Sequence, residues 1–161
     1  AAYMREHRQA WRASGFAPMS SMVHEDDKPK LAAFADVTKF EKLLSLINAD
    51  DAEAIDLAAT RNTPRLPTFD MVEDVKDLAE KQLLLNTTKG SAAHAQSLLG
   101  TVKNYSSKAR KHKAASEADE MDDKSHALAV VYGNLTVATF KLADALARFS
   151  PNLGEVSDGG A

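Results

Sequence analysis

Residues 103–113 carry five cations, Lys103, Lys108, Arg110, Lys111 and Lys113, with His112 beside them and no acid. Residues 117–123 carry five anions, Glu117, Asp119, Glu120, Asp122 and Asp123, and no base. Clustered Lys and Arg neutralise phosphates and release their counter-ions. A run such as Lys108-Ala-Arg-Lys-His-Lys113 is therefore a candidate for binding nucleic acid, an anionic surface or a nuclear-import receptor. The acidic run a few residues away works against nonspecific phosphate binding. A second reading needs no ligand. Cations complement the partial negative charge at a helix C-terminus, and anions the partial positive charge at the next N-terminus. The order of the signs then marks a turn between two helices.

Other constellations point away from catalysis. A dinuclear carboxylate bundle needs two Glu-x-x-His pairs and further inward carboxylates. The chain offers only Asp123-x-x-His126, inside the acidic run. With no cysteine there is no disulfide framework, thiolate zinc site, iron–sulfur cluster or cysteine nucleophile. No serine sits in a nucleophile elbow, and Gly90 and Gly100 are too far apart to cradle a phosphate. His7, His24, His94 and His112 lack carboxylate partners at helical spacing and are assigned to the surface. Three Asn-x-Ser/Thr matches start at Asn86, Asn104 and Asn134; the last two fall in helical patterns and are not read as glycosylation sites. No metal site, cofactor or catalytic residue is implied, and the chain is read as non-enzymatic.

The elements that would position these residues are helical. The chain has 161 residues, 44% of them hydrophobic, and a net charge of -3, which suits one globular domain. No apolar run approaches the roughly 18 residues a membrane span requires. Arg5, His7, Arg8 and Arg12 interrupt any signal-peptide core, so the chain is expected to be intracellular. No window alternates apolar and polar residues between turns as a strand would. Residues 3–13 form a short amphipathic helix that Gly15 can close. Pro29 suits a first helical turn after Asp27. Leu31, Phe34, Val37, Phe40, Leu44 and Ile47 then recur every three or four residues, with Asp36 a possible division into two helices. Asp50-Asp-Ala-Glu53 has the form of a capping box before Ile55 and Leu57. Pro64 and Pro67 break the helical pattern. Thr68 then caps a helix with a 4-3-4-3 seam of Met71, Val75, Leu78, Gln82 and Leu85. After Lys89-Gly90-Ser91, the next stripe is Ala95, Leu98, Val102, Tyr105 and Ala109.

The last pattern is the most regular. Met121, Leu128, Leu135, Leu142 and Phe149 recur every seven residues, with Val131, Ala138 and Ala145 between them, before Pro151. Val102 and Leu128 are 26 residues apart and about 80° out of phase on one straight helix. A hairpin at 113–118, capped by Ser116, removes that conflict. The final helix then runs about 33 residues, or about 50 Å. The 28 alanines favour helix and let helices approach closely. The expected fold is all-α, an elongated antiparallel helical bundle with a long C-terminal helical hairpin. Its parts are an N-terminal arm (1–27), a bundle (28–150, with short helices over 28–60 and long helices over 68–149) and a flexible tail (151–161).

Two functional expectations follow. In the first, the chain is a protein–protein interaction or assembly module, a coiled-coil-like bundle that self-associates or docks a partner. The contacts would come from the aromatic arm (Met4, Trp11 and Phe16) and the heptad stripe (Leu128, Leu135, Leu142 and Phe149). The arm could instead pack back on its own bundle. In the alternative expectation, Lys103, Lys108, Arg110, Lys111 and Lys113 bind nucleic acid or another phosphate-bearing surface.

Overall fold

The computed structural model describes residues 2–59, 69–85 and 93–149. Within them lie the helices α1 (Ala2–Ala13), α2 (Lys28–Asn48), α3 (Ala52–Ala59), α4 (Phe69–Leu85), α5 (Ala93–Ala118) and α6 (Asp123–Phe149), with a 3-10 turn at Glu25–Asp27. No strand occurs among the described residues, and the fold is an all-α helical bundle. The expected cap at Thr68, the Lys89-Gly90-Ser91 break and the tail 151–161 lie outside the described residues.

Local chemistry accounts for most helix ends. Gly15 takes φ +89° after α1. This lets the Phe16 N–H reach the Trp11 carbonyl at 3.0 Å and the Gly15 N–H reach that of Arg12 at 3.0 Å. That pair of bonds satisfies two of the carbonyls a helix end leaves open. The same closure ends α2 with an aspartate where glycine is usual. Asp50 adopts φ 59°, and the N–H groups of Asp50 and Asp51 donate to the carbonyls of Ile47 (3.0 Å) and Leu46 (3.1 Å). Asp51 then caps α3 by accepting from the Ala54 N–H at 3.0 Å. Asp36 does not divide α2, which runs unbroken with Lys39 3.5 Å from the Asp36 carboxylate.

A hairpin does join α5 and α6, but it lies at 119–122 and not at 113–118. The Ser116 hydroxyl donates to the Lys113 carbonyl at 2.8 Å inside α5 and caps nothing. The turn uses aspartates instead. Asp119 accepts from the Met121 N–H at 3.0 Å. Asp122 caps α6, accepting from the Ser125 N–H at 3.0 Å and the Ser125 hydroxyl at 2.6 Å. These bonds hold the Asp122 carboxyl below the usual carboxylate range. With 27 residues, α6 spans about 40 Å, shorter than the sequence pattern predicts.

Helix α6 is the centre of the bundle. It packs on α5, α2, α3 and α4, while α2 and α4 make no substantial contact with each other. The heptad residues Leu128, Leu135 and Leu142 are buried, and so are Ala129, Thr136, Thr139 and Ala143 on other faces. A helix apolar or small nearly all round belongs inside a protein. One cluster gathers Leu43, Ile47, Leu57 and Val72 around Leu128, Val131 and Leu135. A second joins Ala33 and Val37 to Ala138 and Leu142. A third joins Ala79, Leu99 and Val102 to Ala143. Ala54, Ala79, Ala109 and Ala127 are fully buried; small side chains there permit close helix approach.

Two apolar series sit differently from their periodicity. On α2 the inward residues are Ala33, Val37, Leu43 and Ile47, whereas Leu31 and Phe34 are exposed. Steps of three residues drift about 60° each on an α-helix, so 31-34-37-40 cannot share one face. On α4, Val72 and Ala79 are buried, while Met71 and Leu78 of the expected seam remain outside.

Candidate interaction surfaces

The basic run lies along α5, and its cations are distributed among different neighbours. Arg110 forms a charge-assisted pair with Glu73 of α4, its Nε donating to Oε1 at 3.0 Å. One heptad earlier, Lys103 lies 3.9 Å from the Glu80 carboxylate. The two pairs share a seven-residue step on both helices and cross-link α4 and α5 in antiparallel sense. Arg110 draws the Glu73 carboxyl below its ordinary value, and the guanidinium's own value rises in turn. Lys113 lies 3.7 Å from Glu117 one turn on. Lys108 stands over the Tyr132 ring, 5.6 Å from its centroid. Lys111 is exposed. Four of the five cations thus have intramolecular neighbours, and the run does not form a single open cationic face.

His112 departs from its expected surface position. It is half-buried and stacks on Tyr132 with centroids 5.5 Å apart and 3° between the rings. Burial lowers its basicity, Lys111 and Lys108 add to the effect, and Asp122 opposes it. His24 is exposed and accepts from the Asp26 N–H at 3.1 Å. Asn134 is buried, its amide donating to the Val130 carbonyl at 2.9 Å, so its side chain is inaccessible to glycosylation.

The aromatic arm is folded back. Trp11 meets Phe16 edge-on at 5.0 Å and Phe40 of α2 at 6.2 Å, with the Lys39 ammonium 5.1 Å from the Trp11 ring. Half-buried Trp11 and Phe16 therefore pack against the α2–α3 end of the core, the arrangement in which the arm folds back on its own bundle. Leu128, Leu135 and Leu142 are likewise removed as docking residues, because the chain's own helices enclose them. Met121, the first residue of that stripe, lies exposed in the turn. The side chains of Met4 and Phe149 lie outside the described residues.

A cleft of about 410 Å³ opens at the hairpin end, with Lys113, Glu117, Glu120, Asp122 and His126 around Ala59, Ala129 and Val130. Among the described residues no three His, Asp or Glu side chains converge to hold a metal ion. No helix among them is long and apolar enough to cross a membrane.

The large apolar side chains of α2 and α4 that the fold leaves outside were missed as surface candidates. Leu31 is 42% exposed and Phe34 55%, on one flank of α2; Met71 and Leu78 are each 47% exposed, on one flank of α4. Met19 and Met22 precede α2 and are also open. The sequence signal was available on α4, where apolar residues occupy two faces, but only one of them can turn inward. No family model, curated protein or solved structure matches the chain.

Proposed function

We propose that the chain is a non-enzymatic helical-bundle module that docks other protein surfaces through the outward flanks of α2 and α4. One observation carries this reading. With the core closed around α6, two pairs of large apolar side chains remain outside, Leu31 with Phe34 and Met71 with Leu78. Scattered exposed leucines are ordinary on any protein. Pairs spaced three or seven residues apart on one helix flank are the pattern a partner helix or groove engages. Met19 and Met22 add polarizable, adaptable side chains near the start of α2. Leu128, Leu135, Leu142 and Trp11 are assigned no part in this docking, because they pack in the chain's own core. Photo-crosslinking residues placed at 34 and 78 in the protein's native extract test the reading, with position 111 on α5 as control. Discrete protein adducts from 34 or 78 and none from 111 are expected; no adduct above the control at either position overturns it.

A further inference from the structure

We infer that the outer flank of α4 pairs with the same flank of a second copy of this chain, as an antiparallel two-helix seam. The inference rests on the docking reading above and names its partner. The placement follows from α4's own contacts. Val72 and Ala79 point into the bundle. At about 100° per residue, Glu73 and Glu80 lie to one side of that line, where they meet Arg110 and Lys103 of α5. Met71 and Leu78 lie on the opposite side, and half-buried Val75 lies between that pair and the core, its inner edge packed against the cluster of Ala79, Leu99 and Val102. Met71, Val75, Leu78 and Gln82 follow at steps of four, three and four, the spacing of the core positions of a heptad seam.

The flanking charges select the partner and its direction. Beyond the seam, away from the core, lie Asp74 and Lys81, one heptad apart and both exposed; neither forms an ion pair with a described residue. On the other side of the seam the equivalent positions are Val72 and Ala79, already buried. A parallel pair sets these two kinds of position against each other and leaves the charges unmatched. An antiparallel pair sets like positions together. With Val75 facing Leu78 of the second copy and Met71 facing its Gln82, Asp74 falls beside Lys81 of the second copy. Two-fold symmetry repeats the contact. The flank is thus complementary to itself in apolar spacing and in charge.

Sedimentation velocity over a concentration series tests this with the whole chain. The wild-type chain should show a monomer–dimer equilibrium. Leu78→Glu should weaken it at least about 30-fold, as loss of a central apolar contact does. Asp74→Lys alone should weaken it about 10-fold by setting like charges together twice, and Asp74→Lys with Lys81→Asp should restore it to within about 3-fold. All three positions are solvent-facing, so helicity by circular dichroism should stay unchanged and separates loss of association from loss of fold. A chain monomeric at every concentration, a dimer indifferent to Leu78→Glu, or a charge swap that fails to restore association overturns the inference. An adduct from position 34 to a different protein, with a monomeric chain, would overturn it while leaving the docking reading intact.

Discussion

Two leucines in heptad-like patterns should respond very unequally to truncation. Leu135 of α6 is 0% exposed, whereas Leu78 of α4 is 47% exposed. Leu135→Ala removes three buried carbons, worth about 2.4 kcal/mol at about 0.8 kcal/mol each. The cavity left between α6 and its neighbours raises the cost to about 3–5 kcal/mol. At Leu78 the lost burial is roughly half as large and no closed cavity forms, so about 1 kcal/mol or less is expected. Urea denaturation followed by circular dichroism at low protein concentration checks both. With a slope of about 2 kcal/mol per M, the midpoint should fall by about 1.5–2.5 M for Leu135→Ala and by about 0.5 M or less for Leu78→Ala. Equal shifts would refute the assignment of α6 to the centre. So would a Leu135→Ala effect that vanishes on dilution, since the stripe would then be buried between chains.

Two further outcomes follow from polar groups in the interior. Thr139 is 1% exposed and its hydroxyl meets no partner, whereas the Thr136 hydroxyl donates to the Tyr132 carbonyl at 2.7 Å. Thr139→Val should raise unfolding stability by about 1 kcal/mol by removing an unsatisfied buried group, and Thr136→Val should be near neutral; calorimetry distinguishes them. His112 should titrate below its ordinary 6.5 in an NMR pH series, moving upward in Lys108→Gln or Lys111→Gln. Because the folded chain resists protonating His112 more than the unfolded chain does, stability should be intact above about pH 6.5 and decline as pH falls through that value. His112→Gln should remove that part of the decline.

Local signals in the sequence were sufficient for the existence and type of the helices. Gly15 and Asp51 both do at a helix end what their chemistry requires, whereas the change of sign between residues 113 and 117 falls inside α5, which carries no cation in its last turn. The position of the hairpin was less accessible, because Ser116 and Asp122 are both competent caps. Only the bonds each makes decide between them. Inward direction was hardest to read. The α6 heptad resembles an intermolecular seam until the small residues on its other faces are counted, and those mark a helix enclosed on all sides. On α4, Met71–Leu78 and Val72–Ala79 are both seven-residue apolar pairs, and periodicity alone does not rank them. The roles of Arg110 and Lys103 had a readable signal in Glu73 and Glu80, which repeat the same seven-residue step on another helix. The Trp11–Phe40 contact had none beyond the aromatic character of its members.

The central helix is also the one that follows all its packing partners in chain order. Helix α2 is complete at Asn48, but the α6 residues that Ala33 and Val37 pack against, Ala138 and Leu142, come about a hundred residues later. At about 5–20 residues per second, roughly 100 further residues take about 5–20 s to synthesise. During that interval α4 and α5 can pair and α2 can meet α3, but the helix on which all four close is absent. Because α6 residues enter all three core clusters, the core can close only after the last helix has been synthesised.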